Sequence, residues 1–240
     1  MVNRPHARPL SEALLAASAV TLTVTLASAL LRDRWIASAV GFTFLGATWL
    51  LVLRRDDAAV ARAGLSFSGL VLPAPLDTRR VLHELGASIG WAVLLGAIFF
   101  GPFYLGFRTY AHWAWHAQAG SLSRLRPIGP LGDLIGQVAI IALPEEVFYR
   151  GYLQSRLDEV WVPKTRVLGA TIGPSILATS AIFALGHLAT IHDAGRLAVF
   201  FPSILFGWLR ARTGGVGASI AFHALCNIYS ATLLQIFGPA

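Results

Sequence analysis

The chain has 240 residues, of which 55% are hydrophobic and 13% charged, and its formal net charge is +7. Soluble domains carry about a quarter charged residues. A mean hydropathy of +0.64 and several apolar runs near the roughly 20 residues needed to cross a bilayer exclude such a domain and indicate a polytopic membrane protein.

The first apolar run, residues 11–31, follows Arg4 and Arg8. It is longer than the core of a signal peptide, a second run follows at once, and no small-residue cleavage site stands out, so it reads as a retained anchor. The second span, residues 35–53, is stopped by Arg54 and Arg55. Residues 56–80, with Pro73, Pro75, Arg79 and Arg80, read as a mixed interfacial segment, and a third span covers residues 81–105. Residues 107–130 hold Tyr110, Trp113, Trp115, Arg124, Arg126, Pro127 and Pro130, an aromatic and basic mixture suited to the headgroup level. A fourth apolar element, residues 132–161, is too long and too polar in its second half for one simple span. Residues 172–189, the shorter 197–209, and 216–237 complete seven spans. There is no internal repeat and no low-complexity tail. The expected fold is all-α, a single integral membrane domain over 1–240 built as a polytopic transmembrane helical bundle of about seven or eight membrane helices.

The basic residues give a topology. Twelve fall on one side of the seven spans, in the N-terminus, 54–80, 156–166 and 210–212, and six fall on the other. The positive-inside rule then places the N-terminus in the cytoplasm. The positive charge flanks apolar runs, so it implies contacts with membrane lipid rather than nucleic acid. All basic residues but Lys164 are arginine, a usage that points to a GC-rich bacterial genome and hence to a bacterial inner membrane. The single cysteine, Cys226, lies in an apolar run and reads as a small buried filler.

Against this background the stretch ALPEEVFYRGYLQ, residues 142–154, stands out. A charge at the bilayer centre costs about 2.5–3.5 kcal/mol on the insertion scale, and here Glu145, Glu146 and Arg150 come together. Glu146 and Arg150 are one helical turn apart with the acid first, the favourable order for an ion pair. Glu145 points about 100° away around the helix and has no such partner. It is free to take a proton from water. Pro144 just before the pair would weaken the helix, and a break there is tolerated in a membrane only where it lines a cavity or is buried in protein.

Other apolar runs carry His187 in SAIFALGHLAT, and His223 and Asn227 in AFHALCNIYSA. The last two are four residues apart and share a helical face. A lone histidine in a span is commonly a helix–helix hydrogen-bond partner. Three helices offering acid, imidazole and amide suggest more: Glu145 with His187 as a general base pair on water, and His223 with Asn227 as donors to an oxyanion. His112 and His116 in YAHWAWH have a spacing that could hold metal, but their Trp-rich surroundings favour an interfacial belt. There is no HExxH, and no metal or other cofactor is expected.

These residues match a known pattern. Glu145-Glu146-Val-Phe-Tyr-Arg150 fits EExxxR, Phe183-Ala-Leu-Gly-His187 fits FxxxH, and His223-Ala-Leu-Cys-Asn227 fits HxxxN. Their order on three successive helices resembles the CPBP family, the CAAX-processing and bacteriocin-processing glutamic-type intramembrane proteases, over about residues 131–235. The resemblance implies that Glu145 and His187 activate the attacking water, that His223 and Asn227 form the oxyanion site, and that Glu146 and Arg150 support the geometry. Within the family the chain also resembles the myxosortase branch, which implies a C-terminal sorting helix as the protein substrate. The expected function is an intramembrane endopeptidase cutting near the C-terminal end of a membrane-associated protein. A non-proteolytic immunity or scaffold protein of the same fold and a proton-coupled transporter are the rivals.

Overall fold

The structure, a computed structural model, describes residues 7–65, 77–117, 120–125 and 131–238. Arg4, Pro73, Pro75, Arg126, Pro127 and Pro130 lie outside the described residues. Eight helices are present among the described residues: α1 (Ala7–Leu30), α2 (Asp33–Thr48, prolonged by a π-helical turn Trp49–Leu53), α3 (Asp57–Arg62), α4 (Thr78–Trp115), α5 (residues 131–160), α6 (Pro174–Thr190), α7 (Phe200–Thr213) and α8 (Gly217–Phe237). Four of them are long and apolar enough to cross a membrane: Arg8–Leu30, Asp33–Leu53, Thr78–Trp115 and Gly217–Phe237. The remaining spans expected from the sequence are the charged α5, the 17-residue α6 and the 14-residue α7.

α4 is longer than expected. The third span was expected to end near Leu105, but the helix runs on to Trp115 and makes 38 residues, about 57 Å at about 1.5 Å per residue against a hydrocarbon core of about 30 Å. Tertiary packing carries it on. Phe100 stacks on Tyr229 of α8 at 4.3 Å, and Tyr104 and Phe107 pack on Phe237 at 5.8 and 6.3 Å. Tyr110 and Trp115 are therefore the last turns of the helix rather than a separate loop. His116 caps it in the left-handed region, at φ 53°. His116 is thus the end of the helix rather than a residue within it.

A two-stranded hairpin was not anticipated. β1 (Thr165–Val167) pairs antiparallel with β2 (Ala170–Ile172), in the register Thr165 to Ile172. Strands of three residues are too short to show an alternating pattern. The hairpin is held from outside itself: Trp208 Nε1 of α7 donates to the Val167 carbonyl at 3.0 Å.

Two apolar clusters hold the helices. One joins α1, α2, α5, α6 and the start of α8, with Phe44, Phe148, Tyr149, Leu153 and Phe183 at its centre. The other joins α4, α7 and α8 through Leu95, Phe206, Leu209 and Phe222. Cys226 packs half-buried against the second. The segments grouped on one side by charge also meet at one end of the bundle. Arg156 pairs with Glu12 and Glu159, Arg210 Nη2 donates to the Arg62 carbonyl at 2.7 Å, and Val216 N–H donates to the Gly64 carbonyl at 3.3 Å.

Candidate active site

α5 positions the two glutamates, and its backbone is irregular where it does so. π-helical segments, Gln137–Ala142 and Val147–Leu153, flank the short α-helical Leu143–Glu146. The Leu143 N–H reaches back five residues to the Val138 carbonyl, the wide-turn geometry that often marks functional helices. Pro144 does not break the helix. It lacks the N–H that would serve the Ile140 carbonyl, and the wide turn before it takes up the strain. α2 closes over this weak point: a Cβ added at Gly41 would lie 2.9 Å from the Ile140 carbonyl oxygen and 3.6 Å from Pro144 Cγ. Glycine at 41 therefore permits the close approach that seals the turn.

The centre of the site is a buried charge network. Glu146 Oε1 accepts from Arg150 Nη1 at 2.8 Å and from His223 Nδ1 at 2.8 Å. Arg150 Nη2 donates to Ser203 Oγ at 2.6 Å and to the Ser203 carbonyl at 3.2 Å. Glu146, Arg150 and Ser203 are all 0% exposed. The guanidinium lies over Phe183 at 4.7 Å and Phe206 at 5.0 Å, and Phe206 also stacks on His223 at 4.8 Å. Rings on α6 and α7 thus shield an ion pair on α5 and the imidazole of α8 from lipid. Ser203 and Phe206 were not singled out in the sequence, because serine and phenylalanine in FFPSILFGW are ordinary residues of an apolar helix.

Glu145 differs from its neighbour in making no hydrogen bond among the described residues, although Oε2 of both is buried without a partner. Glu145 is 8% exposed. Its Oε2 lies 3.9 Å from His223 Nε2, too far for a direct hydrogen bond. His223 is therefore held by Nδ1 on Glu146 and turns Nε2 toward Glu145. It is buried rather than lipid-facing.

The other two expected residues sit at the edge of this group. His187 is half-buried, and its Nδ1 donates to the Phe183 carbonyl at 3.0 Å, leaving Nε2 as the free ring nitrogen. The Phe183 ring packs on both imidazoles, 4.4 Å from His187 and 5.9 Å from His223. Asn227 Nδ2 donates to Gln137 Oε1 at 3.2 Å, in the first π-helical segment of α5. Among the described residues no hydrogen bond or ion pair joins His187 or Asn227 to Glu145. The structure thus brings Glu145, Glu146, Arg150 and His223 into one group, with His187 linked to it through Phe183 and Asn227 tied to α5 through Gln137. Gln137 carried no signal in the sequence beyond being a polar residue at the start of the GQVAII run. Among the described residues no three His, Cys, Asp or Glu side chains form a set that could hold a metal ion.

Residues 127–229 match the model of the Rce1-like family, type II CAAX prenyl endopeptidase Rce1-like. Over this stretch the chain is similar to that family. No curated protein and no solved structure matches the chain. The Rce1-like stretch takes in the hairpin, α6, α7 and α8 as far as Tyr229, and all of α5. It therefore contains every residue of the site, while α1–α4 lie outside it. The match supports a CAAX-type intramembrane protease at the level of the family.

Proposed function

We propose that the chain is a glutamic-type intramembrane endopeptidase that hydrolyses a peptide bond near the C-terminal end of a membrane-associated protein. The observation that carries this reading is the inequality of the two glutamates. Glu146 Oε1 accepts from both Arg150 and His223, whereas Glu145 makes no hydrogen bond among the described residues and turns Oε2 toward His223 Nε2. Each glutamate keeps its Oε2 buried without a partner. In the proposed reaction Glu145 takes a proton from water as the water oxygen bonds to the scissile carbonyl carbon. The carbonyl π electrons move to oxygen, and the resulting oxyanion is met by donors from His223 and Asn227. Glu145 returns the proton to the leaving nitrogen as the C–N bond breaks, which leaves a new carboxyl and a new amine. Glu146 fixes the His223 ring, and in the imidazolium form its charge balances the Nε2–H that would face the oxyanion. His187, with a free Nε2, is assigned to orienting the water alongside Glu145.

The substrate class follows the Rce1-like description and the myxosortase resemblance: a protein with a membrane-associated C-terminal segment, such as a C-terminal sorting helix. The basic end of the bundle is assigned to the cytoplasmic face of a bacterial inner membrane, with the N-terminus inside.

The test is cleavage by the purified full chain in bilayers of membrane-anchored peptides with prenylated, unmodified and helical C-termini, read by mass spectrometry. The expected result is one new C-terminus made by the wild type, and a rate about 10²–10⁴-fold lower for Glu145→Gln. Equal cleavage by wild type and Glu145→Gln, or no cleavage of any such peptide by the wild type, would overturn the reading.

A further inference from the structure

Away from the site, a crevice opens at the basic end of the bundle between the end of α2, α3 and the last turns of α5. Leu51, Val52 and Ala59 form part of its wall, and Arg55, Arg62 and Arg156 lie around it. It is distinct from the proposed active site, with which it shares no residue.

The three arginines are not equivalent. Arg156 is fixed between Glu12 and Glu159, and its Nε is buried without a hydrogen-bond partner. Arg55 and Arg62 are exposed, and their guanidinium groups make no ion pair among the described residues. Glu159 also lines the crevice, but Arg156 takes it up at 2.5 Å. The uncompensated charge there is thus that of Arg55 and Arg62.

The crevice is also built rather than incidental. Asp56 caps α3 by accepting from Ala59 N–H at 2.7 Å. The Arg62 carbonyl accepts from Arg210 Nη2 at 2.7 Å and from Ser155 Oγ at 3.4 Å. Leu65 packs on Gly151, where an added Cβ would lie 2.8 Å from its Cδ2. These ties hold α3, and with it Arg62, at the crevice that Arg55 also lines after the end of α2.

Its height in the membrane decides the ligand. Arg55 comes two residues after the apolar segment Asp33–Leu53 ends, so the guanidinium groups stand at the level of lipid phosphates, and the apolar wall runs from there toward the hydrocarbon. Arginine at this level attracts anionic lipid and pairs with phosphate through two parallel hydrogen bonds.

We propose that this crevice binds the headgroup phosphate of an anionic glycerophospholipid, with Arg55 and Arg62 on the phosphate and the glycerol end against Leu51, Val52 and Ala59. The site is independent of the peptidase reading.

The experiment is native mass spectrometry and titration of the full chain with phosphatidylglycerol in a phosphatidylcholine background. The wild type is expected to retain phosphatidylglycerol, and R55Q/R62Q to bind it about 30-fold more weakly, the loss expected for two arginines at a lipid surface. R54Q removes the same charge next door, from a side chain that stacks on Trp49 instead of lining the crevice, and should bind as the wild type does. An excess of inorganic phosphate should not displace the lipid. R55K/R62K keeps the charge without the paired hydrogen bonds and should bind with intermediate affinity, which keeps the test informative if R55Q/R62Q does not fold. Wild-type retention by R55Q/R62Q or an equal loss in R54Q would overturn the site. Displacement by inorganic phosphate would show a site for free anions instead.

Discussion

α1, α2 and α4 turn bulky apolar side chains outward, whereas α5 turns its charges inward. Leu15, Leu22 and Leu30 of α1 are 70%, 61% and 79% exposed, and Phe42 of α2 is 74% exposed. Every residue from Pro144 to Gln154 on α5 is buried, Glu146 and Arg150 completely. In water this distribution would be inverted. In a bilayer the lipid solvates the outer leucines, and the protein must solvate its own charges. The outer helices therefore form a frame defined by composition. The inner ones form a site defined by particular partners: Arg150 for Glu146, Glu146 for His223, and Ser203 for Arg150.

Substitutions can break that contrast at different depths. Arg150→Met removes one partner of a fully buried pair and leaves Glu146 with His223 alone. The expected loss is about 3–5 kcal/mol of stability, measured by unfolding in the same detergent as the wild type, and activity should disappear with it. Gly41→Val strikes where frame and site touch. Its side chain would crowd the Ile140 carbonyl over the Pro144 turn, and the expected cost is about 1–3 kcal/mol. Turnover should fall as well, because the displaced turn carries Glu145. Leu22→Ala lies on the lipid face and should change stability by no more than about 0.5 kcal/mol, since lipid covers leucine and alanine alike. A large loss at Leu22 would mean that this face packs against protein.

The same contrast explains what the sequence revealed. Glu145, Glu146 and Arg150 were legible because charge in an apolar run is costly and must be justified. The partnership of Glu146 and Arg150 followed from their spacing of one turn. His223 was legible as a polar residue in a span, but its bond to Glu146 joins residues 77 positions apart, which no local pattern encodes. Ser203, Gln137 and Phe206 were invisible for the opposite reason: such residues are inexpensive in a helix, so their presence raises no question. The continuity of α5 through Pro144 depends on π-helical turns and on Gly41 from another helix. The extension of α4 to Trp115 likewise depends on rings of α8. Both are tertiary effects that override the local signals of proline and of a span's expected length.

The claim that Glu145 and Glu146 have different tasks is tested most directly by Glu145→Gln and Glu146→Gln side by side, with cleavage and thermal unfolding read in one bilayer preparation. Gln at 145 keeps the shape and removes the base, so turnover should vanish while the unfolding temperature stays at the wild-type value. Gln at 146 leaves Arg150 without its counter-charge and His223 without its carboxylate, so stability and turnover should fall together. Wild-type cleavage by Glu145→Gln, or two variants that lose the same stability, would contradict the division.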